Sequence, residues 1–152
     1  DLGITQSEAK GYIDRFFNAY PKTKEYIDRL VELATERGYA ETLLGRRRPL
    51  PHLRSRNVPQ RNFDRRNAVN TPIQGSAADL IKLAMIRIDR LIEHEGLRVK
   101  MLLQIHDELI FEVAEEEGEE AGGIIKDEME NVLSLRLPLE VKIAMGKNWE
   151  EI

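Results

Sequence analysis

The sequence predicts an α+β fold in which several helices pack against an antiparallel sheet. Three observations carry this. Apolar stripes of helical period recur along the first two-thirds of the chain. Two apolar stretches then flank the polar triplet His106-Asp107-Glu108, a spacing that suits a hairpin. A short extended segment, residues 139–144, follows Pro138 near the end. With 152 residues, 41% of them hydrophobic and 33% charged, the chain is long enough for one domain, or one lobe of a larger one, with a real core.

Thr5-Gln6-Ser7-Glu8 offers capping residues for the first helix, with Ala9, Tyr12, Ile13, Phe16 and Phe17 expected inward. Pro21 interrupts that run and suits the first turn of the next helix. Its stripe is Tyr26, Ile27, Leu30, Leu33 and Ala34, and it ends at Gly38. Residues 39–51 read as short extended segments around Gly45. A polar, Arg-rich helix is expected over 59–68, broken or kinked by Pro72. Gln74-Gly75-Ser76 opens the strongest helix, with Ala77, Ile81, Ala84, Ile88 and Leu91 on one stripe, stopped by Gly96. Strands follow at 98–105 and 109–113, then an acidic helix at 115–133 and a last strand at 139–144. No internal repeat or long linker divides the chain.

Composition excludes several classes. No apolar run approaches the roughly 18 residues of a membrane span. Zero cysteines exclude a disulfide scaffold, a thiolate zinc site and a cysteine nucleophile. Residues 1–10 carry Asp1, Glu8 and Lys10 and lack the apolar core of a leader, so a cytoplasmic location is expected. The net charge of −4 hides a sharp asymmetry. Between Arg46 and Arg66 there are eight arginines (46, 47, 48, 54, 56, 61, 65 and 66) against Asp64 alone, a local charge of +7. The remaining residues carry −11, much of it between Glu112 and Glu130, which reads as a solvated helix face. That the basic window is all Arg and no Lys favours bidentate phosphate contact, and so a polyanion partner.

Two constellations carry candidate chemistry. His106-Asp107-Glu108 is either an ordinary polar turn or a turn projecting two hard oxygen ligands suited to Mg²⁺. One turn supplies too few carboxylates for a complete two-metal site. His52, His94 and His106 lack zinc-site spacing. Arg66, Asn70 and Gln74, spaced four and four, would share a face with a drift of about 80° on a continuous helix, a continuity that Pro72 opposes. They are either a solvated face or donors for minor-groove acceptors, which report duplex shape more than sequence. Gln74-Gly75-Ser76 lacks the Gly-rich loop and Lys of a phosphate-cradling motif, so Gly75 is read as permitting either close packing or tight entry to the helix.

At these residues the chain resembles family A DNA polymerases, the bacterial DNA polymerase I family. The resemblance lies in Arg66-xxx-Asn70-Thr-Pro-Ile-Gln74-Gly-Ser-Ala-Ala-Asp-Leu-Ile-Lys and in Leu103-Gln-Ile-His106-Asp107-Glu108-Leu-Ile-Phe-Glu, the latter similar to that family's third catalytic motif. Gly45-Arg-Arg-Arg48, Pro138-Leu-Glu-Val and Gly146-Lys-Asn-Trp149 match in order and spacing. The similarity covers nearly the whole chain, less sharply over 1–38.

The resemblance implies a carboxy-terminal palm-and-fingers fragment with a palm-type antiparallel sheet and a catalytic hairpin. It divides into a DNA-contacting part, 1–75, and a palm part, 76–152. It implies that Asp107 is one of two aspartates holding a pair of Mg²⁺ ions, with Glu108 a less critical neighbour and His106 beside the primer terminus. Arg66, Asn70 and Gln74 would contact the minor groove or sugar edge. Some of Arg46, Arg47, Arg48, Arg54 and Arg56 would lie near the duplex backbone. The expected partners are primer–template DNA, a deoxynucleoside triphosphate and the upstream part of the same polymerase, on the bacterial nucleoid and with no membrane. The family's first catalytic aspartate and its nucleotide-gripping helix lie upstream of these motifs. The fragment alone is therefore expected to be inactive and not to retain the metals. The rival reading is a non-catalytic duplex-binding module; a metal-dependent phosphoesterase is a more distant one.

Overall fold

In the computed structural model, which describes residues 3–151, Thr5 caps helix α1 (Gln6–Ala19) with a reciprocal pair of bonds. Its Oγ1 accepts the Glu8 N–H at 3.2 Å, and Glu8 Oε2 accepts the Thr5 N–H at 2.8 Å. The backbone bond, then the side-chain bond, from Thr5 holds the Glu8 carboxyl below its ordinary value. Helix α2 (Pro21–Arg37) has Pro21 in its first turn. Gly38 ends it at φ 79°, a left-handed conformation that side chains disfavour, and donates its N–H to the Ala34 carbonyl at 2.8 Å.

Strands β1 (Tyr39–Glu41) and β2 (Arg47–Pro49) pair antiparallel, with Ala40 opposite Arg48 and Glu41 opposite Arg47. Helix α3 (Val58–Asn70) is capped by Asn57, whose side chain accepts the Gln60 N–H at 3.3 Å. Ala34, Ala40, Leu50, Leu53 and Ala68 form the core here, with Val31 against it. Asp64 is buried among them, and its Oδ2 accepts the His52 N–H at 2.7 Å. The one acid of the Arg-rich window thus pins the loop before α3.

By its contacts the chain divides into two units, residues 1–75 and 76–152. In the first, the stripe expected inward on α1 is open. Tyr12, Ile13 and Phe16 are each more than half exposed, and α1 buries no residue. The reason is a shortage of partners, since α1 packs chiefly on α2. Phe16 instead stacks locally on Phe17 and Tyr20, with centroids at 5.5 and 5.1 Å.

Pro72 does not end the helical backbone. Residues Thr71–Gly75 form a π turn following α3. Proline has no N–H for the carbonyl four residues back, and its ring crowds that carbonyl. A wider turn relieves the crowding.

In the second unit, α4 (Ser76–Glu95) stops at Gly96, φ 64°. Strands β3 (Val99–Ile105) and β4 (Glu108–Val113) form an antiparallel hairpin with a bulge between Met101 and Leu103. A 3₁₀ turn (Glu115–Glu117) leads into α5 (Gly118–Glu130), shorter than expected because Asn131 caps it by donating to the Asp127 carbonyl at 3.0 Å. Ala84, Ile88 and Val132 form the core, joined by Met101, Leu109 and Phe111 from the hairpin and by Ile125 and Met129 from α5. Truncating Ile88, which is fully buried, to alanine would cost about 2–5 kcal/mol.

The strand expected over 139–144 is not formed. Glu130 Oε1 accepts the Val141 N–H at 2.8 Å, so a side chain takes a bond that a ladder would need. Leu139 joins the core, and Ile143 and Met145 lie on α5 over Gly122. A Cβ on Gly122 would stand 2.8 Å from Met145 Cε, and one on Gly118 would meet Met145 Sδ at 3.6 Å. The segment is held by side chains on a glycine-lined helix face.

Candidate nucleic-acid interface and catalytic turn

The candidate residues fall into two groups, one in each unit. In the first unit, Arg66 and Asn70 stand on α3 and Gln74 in the π turn, all three exposed. On an α-helix each step of four residues overshoots a full turn by about 40°. The π turn rotates less per residue, so the second step falls back and offsets the first. The widened turn therefore brings Gln74 nearer the line of Arg66 than an unbroken α-helix would. Next to it and at its start, Asn67 Nδ2 and Thr71 Oγ1 are buried without hydrogen-bond partners among the described residues.

The arginines sort by what they touch. Arg46 Nη2 donates to the Gly75 carbonyl at 3.0 Å. Arg47 Nε donates to Glu41 Oε2 at 2.9 Å, and its guanidinium lies 4.7 Å over the Tyr39 ring. That hydrogen bond to Glu41, then electrostatic attraction to Tyr39 and to Glu41, raises the Arg47 value above its ordinary one. Arg61 Nη1 donates to the Ser55 carbonyl at 2.9 Å. Arg48, Arg54, Arg56, Arg65 and Arg66 are exposed and have no hydrogen-bond or ion-pair partner among the described residues.

The hairpin of the second unit places the other group. Ile105 pairs with Glu108, so the loop is the two residues His106-Asp107 and Glu108 already belongs to β4. His106 has φ 54°, a conformation that two-residue loops demand and that usually falls to glycine or asparagine. Gln104 supports it by donating from Nε2 to the His106 carbonyl at 2.7 Å. Leu109 and Phe111 turn into the core. The period of two then sets Glu108 on the opposite face with Ile110. His106, Asp107 and Glu108 are all exposed.

Neighbouring exposed carboxylates suit a hard cation such as Mg²⁺, which takes oxygen ligands and is commonly held by one or two carboxylates plus substrate phosphates. Among the described residues no three His, Asp or Glu side chains gather into a metal cage. The turn thus fits part of a magnesium site and not the whole of one. No described helix is long and apolar enough to cross a membrane.

Sequence reasoning did not find the Arg46–Gly75 bond, whose partners lie 29 positions apart. Nor did it separate Asp64, a buried loop anchor, from the charges around it.

A basic helix-and-hairpin surface and a carboxylate-bearing hairpin turn are features of a nucleic-acid enzyme class, and the comparisons name it. The model of DNA polymerase family A matches residues 1–151, and the chain belongs to that family. Among individual relatives, it is 46% identical over 151 residues to the DNA polymerase I of Streptococcus pneumoniae serotype 4. That alignment takes in 99% of this chain and 17% of the relative. The DNA polymerase I of Geobacillus stearothermophilus is 46% identical over 149 residues, 98% of this chain and 17% of that protein. A solved structure, the POL domain of Pol1 from M. smegmatis in complex with DNA primer–template and dNTP, superposes with a TM-score of 0.93 at 44% identity. It takes in 99% of this chain and 26% of that one. The chain thus spans about a sixth of the length of these curated relatives.

Proposed function

We propose that this chain is the part of a DNA-directed DNA polymerase that holds the primer end and supplies one carboxylate side of the catalytic centre. The observation that carries the proposal is the exposed hairpin tip His106-Asp107-Glu108, in a chain belonging to family A. The reaction is template-directed attack of a primer 3′ hydroxyl on the α-phosphate of a deoxynucleoside triphosphate, with pyrophosphate leaving. The similar M. smegmatis POL domain, a complex with DNA primer–template and dNTP, supports these as the substrates.

Asp107 would hold the metal, with Glu108 assisting from the adjoining strand. Bound there with the carboxylates of the rest of the polymerase, Mg²⁺ supplies activation of the primer hydroxyl and neutralisation of charge on the departing oxygens. His106, held left-handed at the loop, presents its ring beside the primer terminus. Arg66, Asn70 and Gln74 donate to minor-groove acceptors and sugar oxygens, which every base pair offers, so they check shape without demanding a sequence. Arg48, Arg54 and Arg56, with unoccupied guanidinium forks, hold the duplex backbone, and Arg46 and Arg47 flank them. The enzyme works on the bacterial chromosome, and the upstream part of the polymerase completes both the metal site and the nucleotide site.

The test is primer extension by this chain alone, by the upstream part alone, and by the two mixed. Extension is expected only where both are present. Template-directed extension by this chain alone would refute the division of the centre. Strong duplex binding without extension in the mixture would favour a binding module instead.

A further inference from the structure

We infer that Arg46 is a positioning residue for Gln74, acting through the Gly75 carbonyl and not by contact with nucleic acid; this rests on the polymerase reading of Gln74 given above. The β1–β2 hairpin tip is tied to itself around Thr42. The Thr42 N–H donates to the Arg46 carbonyl at 2.9 Å, the Arg46 N–H to Thr42 Oγ1 at 3.1 Å, and the Gly45 N–H to the Thr42 carbonyl at 3.0 Å. The Arg46 side chain therefore departs from a fixed backbone, and its Nη2 reaches Gly75 O at 3.0 Å. The tip is also seated on the π turn itself. A Cβ on Gly75 would lie 2.8 Å from Thr42 Cγ2 and 3.5 Å from Arg46 Nη2. Thr42 and Thr71 are both about 95% buried at this contact, since each is 5% exposed.

The π turn needs such a hold. It contains Pro72, which cannot donate, and Gly75, which has the weakest helical preference after proline. It also leaves Thr71 Oγ1 unpaired. Gln74 precedes the clamped carbonyl by one residue and is itself exposed. Fixing the Gly75 peptide fixes the direction in which Gln74 leaves the helix. Arg48, Arg54, Arg56 and Arg66 have no such internal partner among the described residues, which separates Arg46 from the phosphate-facing set.

The experiment uses the whole polymerase carrying this segment, with Arg46→Ala, Arg46→Lys, Gln74→Ala and the Arg46→Ala/Gln74→Ala double variant. Amide exchange in the free enzyme reads the clamp: Arg46→Ala should speed exchange over residues 73–76 by about tenfold or more, the worth of one charge-assisted hydrogen bond. Single-turnover extension reads the function: Arg46→Ala and Gln74→Ala should each slow it by about 10²-fold, the effect of a displacement near 1 Å. The double variant should be no slower than Gln74→Ala alone, because both changes remove the same contact. Arg46→Lys, which keeps one donor, should recover part of the rate. The slope of duplex affinity against salt should stay that of the parent, whereas a lost phosphate contact would flatten it by about 0.9.

A flattened slope, independent losses in the double variant, or unchanged exchange beside a damaging Gln74→Ala would overturn the inference alone. Faster exchange with an inert Gln74→Ala would instead overturn the groove reading of Gln74, and the positioning role with it.

Discussion

Replacing Gly75 with alanine adds a single methyl at a place where 2.8 Å separates the new carbon from Thr42 Cγ2. Ordinary contact begins near 3.4 Å, so about 0.6 Å must be found. The other neighbours, Arg46 Nη2 at 3.5 Å and Thr71 Cγ2 at 3.6 Å, already stand at ordinary distance, so the Thr42 methyl is the obstacle. Thr42 cannot turn away freely, because it is buried and its Oγ1 accepts the Arg46 N–H. Overpacking of this kind costs about 1–3 kcal/mol. Alanine recovers about 1 kcal/mol over glycine in a helix, so the net loss is at most about 2 kcal/mol. Thr42→Ser removes the obstructing methyl while keeping the hydroxyl, and alone costs about 1 kcal/mol for the lost buried carbon. Combined, the two should fit: Gly75→Ala becomes neutral or stabilising on the Thr42→Ser background, a coupling of about 1–3 kcal/mol. Urea unfolding of the chain reads this with two optical reporters. Tyr12, Tyr20, Tyr26 and Tyr39 all lie in the first unit and the single tryptophan, Trp149, in the second. Tyrosine signal therefore follows the unit that carries the changes. Additive losses in the double variant would refute the assignment of Gly75 to close packing against Thr42.

Three further outcomes are expected. Arg48→Ala, Arg54→Ala and Arg56→Ala should each flatten the salt dependence of duplex affinity by about 0.9, measured by titration at several salt concentrations, while Arg61→Ala, whose fork is tied to Ser55, should not. In the whole polymerase, Asp107→Asn should nearly abolish single-turnover extension with duplex affinity kept or slightly raised, and Glu108→Gln should be milder; reversed severities would overturn the assigned roles. The Glu8 carboxyl has a lowered folded-state value, so the helix cap it forms is fully present above the unfolded glutamate range and is lost as pH falls through the folded value. Acid titration of α1 helicity should show this loss in the parent chain and not in Glu8→Gln.

Punctuation of the chain was legible because it is set locally. Thr5, Pro21, Gly38, Gly45 and Gly96 act through backbone preferences that neighbours in space hardly alter, and each stands where an element starts, turns or stops. The polar triplet between apolar strands was legible for the same reason, although pairing of Ile105 with Glu108 makes the loop one residue shorter than expected. What depends on distant partners was not legible. The α1 stripe has helical period, yet period says nothing about whether a surface exists to receive it. Residues 139–144 have strand composition, but a strand needs a ladder, and Glu130 takes the Val141 N–H instead. Pro72 reads as a breaker, and only the seat provided by Thr42 and Arg46 shows how a widened turn absorbs it. Arg46, Arg47 and Arg48 are identical letters in sequence, and their separate engagements with Gly75, with Glu41 and with solvent arise from the alternation of β2 and the position of the turn.

Met145 closes the last segment onto α5 by laying its thioether across Gly118 and Gly122, and it is 53% exposed while doing so. A methionine exposed to this degree is open to oxidation by peroxide. Conversion to the sulfoxide makes the side chain polar and adds an oxygen to an atom seated against a helix backbone with no side chain to yield. One of the contacts that stand in for a β-ladder in this part of the chain is therefore also an oxidisable joint, and damage there would loosen Met145 from α5 while Glu130 still held Val141.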